Sequence, residues 1–173
     1  MSQTVCIDTH ILIWALRGEA TSGQEGKIIQ AKQLLKNIEK EKSTVIIPAI
    51  AVGEASIGVP VQRREQFIND ICQICRVVPY DKVACSFYAS FFGENRQHLQ
   101  KKDLMEDVHV GYNRRAIHAD SMILATALAH NASVLYTDDV QLSKIANNKI
   151  QVKGLPAPTP QQGSLLLEIK AAK

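Results

Sequence analysis

Short apolar runs alternate with stretches of helical period along most of this chain. Thr4-Val5-Cys6-Ile7 is an apolar, partly β-branched run that stops at Asp8, and His10 to Arg17 carries apolar residues on more than one side, as a buried helix does. Beyond the turn-rich stretch from Gly18 to Gly26, Ile28, Ala31, Leu34, Leu35 and Ile38 recur at helical spacing within Lys27 to Lys42, with the lysines mostly on the opposite, solvated face. Thr44-Val45-Ile46-Ile47 repeats the strand signal and meets Pro48, which suits the first turn of a helix running to about Ile57. Gly58-Val59-Pro60 breaks that helix. Val61 to Cys75 then places Phe67, Ile68, Ile71, Cys72 and Cys75 on one helical stripe, ahead of a third strand at Arg76-Val77-Val78-Pro79.

In the second half, Asp81 is a helix cap, and the helix carries Val83, Ala84, Phe87, Tyr88, Phe91 and Phe92 until Gly93 is expected to stop it. The aromatic residues, like Trp14, fall on apolar stripes that suit a core or a dimer interface. Gly93 to His118 is polar and weakly periodic, with a helix expected near Gln97 to Asp107. From Ala119 a helix rich in Ala, Leu, Met and Ile runs to His130, with Asn131 as a left-handed cap. A fourth strand (Ser133-Val134-Leu135-Tyr136), a short helix (Gln141 to Ala146) and a fifth strand (Ile150-Gln151-Val152) follow. There is no internal repeat. Strands alternating with helices predict an α/β fold: a three-layer α/β/α sandwich around a central, mainly parallel sheet of four to five strands with right-handed crossovers.

Composition sharpens this picture in three places. With 173 residues, 46% of them hydrophobic, the chain closes one sizeable core. The expected domain spans residues 1–155, followed over 156–173 by a linker with Pro156, Pro158 and Pro160 and a short C-terminal helix. The longest apolar stretches, Val45 to Val52 and Met122 to Ala129, fall short of the roughly 20 residues that a membrane span requires, and the first residues lack the pattern of a signal peptide. A cytoplasmic location without membrane contact is the expectation. Cys6, Cys72, Cys75 and Cys85 all sit in apolar patterns, so reduced core cysteines are expected; Cys72 and Cys75 have no second ligand pair at zinc spacing. The net charge of +3 permits a nucleic-acid partner without requiring one.

The candidate chemistry lies in the carboxylates. Ligand sites in parallel sheets lie beyond the carboxyl ends of the strands. Asp8 follows the first strand directly, and Asp138 and Asp139 follow the fourth; Glu54 stands about a turn and a half into the helix after the second strand, and Asp120 opens the long helix that leads to the fourth. Each has a plain alternative. Asp8, Asp120 and Asp139 suit helix caps, and Glu54 suits an exposed helix face. Several carboxylates converging on one pocket, however, repel one another and call for a cation. Oxygen-only ligation points to Mg²⁺ or Mn²⁺, and such an ion beside a phosphate suits phosphodiester hydrolysis.

At these residues the chain resembles a family. Val5-Cys6-Ile7-Asp8-Thr9-His10-Ile11-Leu12 is similar to the opening motif of PIN-domain ribonucleases, and Ile47-Pro48-Ala49-Ile50-Ala51-Val52-Gly53-Glu54 to their second motif. Ala119-Asp120-Ser121-Met122-Ile123-Leu124-Ala125-Thr126-Ala127 resembles the third, and Val134-Leu135-Tyr136-Thr137-Asp138-Asp139 the fourth, usually Thr-x-Asp. The four occur in the family's order. The resemblance implies a Mg²⁺- or Mn²⁺-dependent ribonuclease in which Asp8, Glu54, Asp120 and Asp139 bind metal and carry catalysis, with Asp138 an adjacent ligand that takes or shares the fourth place. Thr9 and Thr137 would hydrogen-bond the carboxylates or contact substrate. Arg114, Arg115 and His118, just before Asp120, would contact RNA phosphates; solvated loop charges are the alternative.

By the same resemblance the chain is the toxin of a toxin–antitoxin pair of the VapC kind, with a small antitoxin protein as partner and a homodimer as its assembly. The segment before Asp120 and the proline-rich tail make it longer than usual for such toxins. A housekeeping RNA-processing PIN nuclease and a non-catalytic PIN-like binding module are the rival readings. A haloacid-dehalogenase-type phosphatase is excluded by His10, which stands where a second Asp is required, and a receiver domain by Pro79-Tyr80 after the third strand.

Overall fold

The computed structural model describes residues 3–100 and 114–158, without the side chains of 92–100 and 114–116. Its centre is a fully parallel sheet of five strands in the order β3-β2-β1-β4-β5. The strands are β1 (Thr4–Ile7), β2 (Thr44–Pro48), β3 (Arg76–Val78), β4 (Val134–Tyr136) and β5 (Gln151–Lys153). Successive side chains in β1 and β4 are buried whichever way they point: Val5, Cys6 and Ile7 in one, Val134, Leu135 and Tyr136 in the other. That is the signature of a parallel sheet covered on both faces, and it makes the fold an α/β sandwich.

The helices are α1 (Thr9–Leu12), which runs on into a π turn over Ile13–Arg17, α2 (Glu25–Lys40), α3 (Ala49–Ile57), α4 (Val61–Ile74), α5 (Lys82–Gln100), α6 (Arg114–Ala129) and α7 (Val140–Ala146). The π turn buries Trp14 and Ala15 and is closed by Gly18 at φ 67°, a left-handed conformation that glycine adopts without penalty. Asn131, at φ 57°, ends α6 in the same region, as its sequence position predicts. From β1 the chain steps outward through β2 to β3, then returns to the other side of β1 as β4. This reversal makes the β1/β4 junction the topological switch point, and a crevice opens there beyond the strand ends.

Several boundaries differ from those the sequence predicts. Gly93 does not stop α5, which continues to Gln100. A mid-helix glycine costs about 1 kcal/mol, and packing of α5 along α6 outweighs it. The helix expected near Gln97 to Asp107 therefore begins inside α5, and its remainder lies outside the described residues. The long helix starts at Arg114, more than a turn before Ala119, so Asp120 stands inside α6 rather than at its cap. On α4 the expected stripe is only half buried: Ile71 and Cys75 are covered, whereas Ile68 and Cys72 are exposed, because among the described residues the helix packs mainly against the short edge strand β3 and α3. Cys85 is exposed as well, so only Cys6 and Cys75 are core cysteines; all four are free thiols.

The chain beyond β5 stays on the body as far as Pro156. Leu155 packs against the core, and Gln30 Nε2 donates to the Pro156 carbonyl at 2.8 Å. The expected C-terminal helix lies outside the described residues. Among the described residues, no helix is long and apolar enough to cross a membrane.

Candidate functional site

The strand ends at the switch point are held together by side chains. Asp8, 2% exposed, caps α1: its Oδ1 accepts the Ile11 N–H at 3.1 Å, and its Oδ2 accepts the hydroxyl of Thr137 at the end of β4. Thr137 Oγ1 in turn accepts the Asp139 N–H at 3.0 Å. Asp139 caps α7, its Oδ1 accepting the N–H groups of Gln141 at 2.6 Å and Leu142 at 3.0 Å. The capping alternative for Asp8 and Asp139 is therefore correct. It does not compete with a site, because each carboxylate caps a helix and faces the crevice at once.

Two further acids arrive from helices. Glu54, in the second turn of α3, accepts the Thr9 hydroxyl at 2.6 Å. Asp120 projects from α6, and among the described residues no hydrogen bond reaches its carboxylate. Asp8, Glu54, Asp120 and Asp139 line a single cleft of about 290 Å³ with Thr9 and His10, over an apolar floor of Ile13, Ile123 and Leu142. Burial, and after it the charges of Asp139, Glu54 and Asp8, push the Asp120 carboxyl up to about 7. Burial also raises Asp8 above the usual carboxylate range, with hydrogen bonds from Thr137 and Ile11 and the nearby His10 pulling it back and Asp139 adding to the rise.

The remaining sequence candidates fall outside this cluster. Asp138 is not in the cleft: its carboxylate forms an ion pair with Lys27, whose Nζ also lies 5.0 Å from the centre of the Trp14 ring. Between the two adjacent aspartates, Asp139 is thus the one that meets Asp8 and Asp120. His118 is exposed and turned toward α5, its Nδ1 2.5 Å from the Tyr88 hydroxyl and its ring stacked on that tyrosine. Arg114 and Arg115 stand in the first turn of α6, with side chains outside the described residues. His10 lines the cleft as well, a place that no motif assigns to it; its position two residues after Asp8 is the signal that points there. Lys27 had no such signal, since its partner is 111 residues away.

Among the described residues, no three acidic, histidine or cysteine side chains form a ready-made set of metal ligands. The donor chemistry of the cleft fits a hard divalent cation: four carboxylates against a single imidazole, an excess of negative charge, and one carboxylate that no hydrogen bond reaches among the described residues.

Solved structures with this fold include VapBC-1 from nontypeable Haemophilus influenzae, at a TM-score of 0.60 and 14% identity over 88% of this chain and 98% of that one. VapBC2 from Rickettsia felis, bound to a DNA fragment from their promoter, aligns at 0.58 and 14% over 89% and 100%. A toxin–antitoxin complex from Klebsiella pneumoniae aligns at 0.55 and 19% over 86% and 95%. At such identities the likeness is one of fold. No curated protein sequence matches the chain. The family model described as PIN domain, however, matches residues 5–148, an interval that contains all four acids of the cleft and all five strands but the last. With its sequence matched over that span and its sheet built in the same way, the chain belongs to the PIN domain family.

Proposed function

We propose that the protein is a Mg²⁺- or Mn²⁺-dependent ribonuclease that hydrolyses RNA phosphodiester bonds and serves as the toxin of a toxin–antitoxin pair. One observation carries this reading: four acids from four separate segments share one cleft, where burial and then the charges of the other three raise Asp120. A cluster of this kind costs folding energy, which a bound cation and an anionic substrate turn to use. Asp8, Glu54, Asp120 and Asp139 would hold the ion. Bound there, Mg²⁺ or Mn²⁺ supplies a counter-charge to the carboxylates and Lewis-acid stabilisation of charge developing on a phosphate oxygen.

The chain's own residues set up this chemistry. Thr137 fixes Asp8 Oδ2, Thr9 orients Glu54 through its Oε2, and the cap of α7 holds Asp139. Ile13, Ile123 and Leu142 limit water beneath the acids. Arg114, Arg115 and His118, at the start of α6 on the same edge of the sheet, are the RNA phosphate contacts of this reading. Residues 1–155 form the nuclease domain, with 156–173 as an appended segment.

The partner follows from the company the fold keeps, since the similar structures are themselves toxin–antitoxin complexes. A small antitoxin protein is therefore proposed, in the cytoplasm where RNA is the substrate. A homodimer completes the reading, with the exposed Val83 and Phe87 of α5 as contact residues and light scattering as its check. The decisive experiment is cleavage of total RNA in Mg²⁺ by the wild type and by Asp8→Asn. The wild type is expected to cut and the variant not; equal activity in the two removes the ribonuclease assignment. Growth arrest on expression, relieved by a small protein encoded beside this one, separates a toxin from a processing nuclease.

A further inference from the structure

The cleft has one wall that the metal chemistry does not use. His10 lines it and is exposed, and its ring packs at 33° against Trp14 with centroids 5.7 Å apart. Trp14 is 6% exposed, so it acts as a buried base that holds the imidazole at the cleft edge. Lys27 lies on the same tryptophan, 5.0 Å from the ring centre, and is pinned from the other side by Asp138. An ammonium has three N–H donors, of which the ion pair takes one. The result is a ledge built on one tryptophan: a flat, supported imidazole next to the carboxylates of the cleft, and a fixed cation on the same indole ring.

We infer that His10 and Lys27 form a nucleotide subsite, in which an unpaired base of single-stranded RNA stacks on His10 and a backbone phosphate meets Lys27. The inference rests on the ribonuclease reading for its substrate class. Three features favour RNA over a protein occupant. The imidazole is flat and anchored from below, which suits a base; stacking of this kind is worth about 1–3 kcal/mol per base and needs no particular sequence. The cation is already paired with one side-chain carboxylate, and its two remaining N–H donors suit the several oxygens of a phosphate. The ledge meets the acidic cleft at His10, which lines it, so one strand can touch both.

The chain's single tryptophan lies directly under the proposed subsite and reports on it. Its emission is followed while full-length protein is titrated with a phosphorothioate-linked adenylate decamer, which resists hydrolysis, with and without Mg²⁺. Inorganic phosphate and poly-glutamate serve as parallel probes. The decamer is expected to change Trp14 emission saturably. His10→Ala should weaken decamer binding about tenfold, the loss of one stacked base, and His10→Phe should restore it. Lys27→Met should weaken binding and reduce the salt slope by about one phosphate contact.

Unchanged Trp14 emission together with wild-type affinity in His10→Ala overturns the subsite. So does a response to poly-glutamate that the decamer does not give, which would assign the ledge to an acidic protein partner. Failure of the ribonuclease reading looks different: the decamer binds and moves Trp14, but total RNA is not cut.

Discussion

The cleft has two halves that are built differently. On the strand side, Asp8, Thr137 and Asp139 are locked into a chain of hydrogen bonds that also caps α1 and α7, so these groups hold the fold together. On the helix side, Glu54 receives one hydroxyl hydrogen bond and Asp120 receives none among the described residues. The same kind of side chain thus does two jobs. A strand-end acid is part of the scaffold, its hydrogen bonds offsetting the cost of burying a charge that raises Asp8, whereas Asp120 bears that cost without hydrogen bonds among the described residues. Substitutions in the two halves should therefore move activity together and stability in opposite directions.

The largest effect expected is on activity, and it should ignore the division. Asp8→Asn and Asp139→Asn on the strand side, and Asp120→Asn on the helix side, should each lower metal-dependent RNA cleavage at least about a hundredfold, the scale on which losing one charge-stabilising group is felt. Asp138→Asn should stay within a few-fold of wild type, because its carboxylate faces Lys27 and not the cleft. Cleavage rates at saturating Mn²⁺ decide this; a dead Asp138→Asn beside an active Asp139→Asn would reverse the assignment of the fourth acid.

Stability should then separate the halves. Asp8→Ala leaves the Thr137 hydroxyl and the Ile11 N–H without their acceptor in a site that is 2% exposed, and should cost about 2–3 kcal/mol in urea unfolding of the metal-free protein. Asp120→Asn should act in the opposite sense. Its carboxyl titrates at about 7 in the folded protein and near 3.9 in the unfolded chain. Folding is therefore unhindered by this group below about pH 4 and loses stability as pH rises toward and through 7. Discounted for partial exposure, Asp120→Asn should gain about 1–2 kcal/mol at pH 8 and close to nothing at pH 4. A variant less stable than wild type at pH 8 would show that the helix-borne acid is scaffold after all.

This division also explains what could be read from the sequence. The strand-end acids were legible because a β-branched run that stops at an Asp fixes both the element and the residue's place on it, and the parallel sheet brings such places to one edge. Glu54 and Asp120 were legible as candidates through motif spacing, but Asp120 was misplaced at a cap because the polar residues before Ala119 hide the first turn of α6. Asp138 and Asp139 could not be told apart, since the difference lies in Lys27, on a helix that periodicity alone marks as solvated. The exposure of Ile68, Cys72 and Cys85 was hidden for a similar reason: helical period gives the apolar face and not the width of what it packs against.

The smallest effect expected lies between the halves, at Thr9. Its hydroxyl, one residue after Asp8, donates to Glu54 Oε2 at 2.6 Å and so ties the strand side to the helix side. Thr9→Val keeps the shape of the side chain and removes that donor. Both residues are only partly buried, so Glu54 regains water and folding should lose no more than about 1 kcal/mol. The metal site should feel it more, because groups that orient a ligand typically contribute about ten- to a hundredfold in affinity. Thr9→Val should therefore need roughly tenfold more Mn²⁺ for half-maximal cleavage while keeping the wild-type rate at saturation, and Thr9→Ser should restore the wild-type requirement. A lowered rate at saturating metal with an unchanged metal requirement would mean that Thr9 touches the RNA instead, and that the two halves are joined only through the backbone.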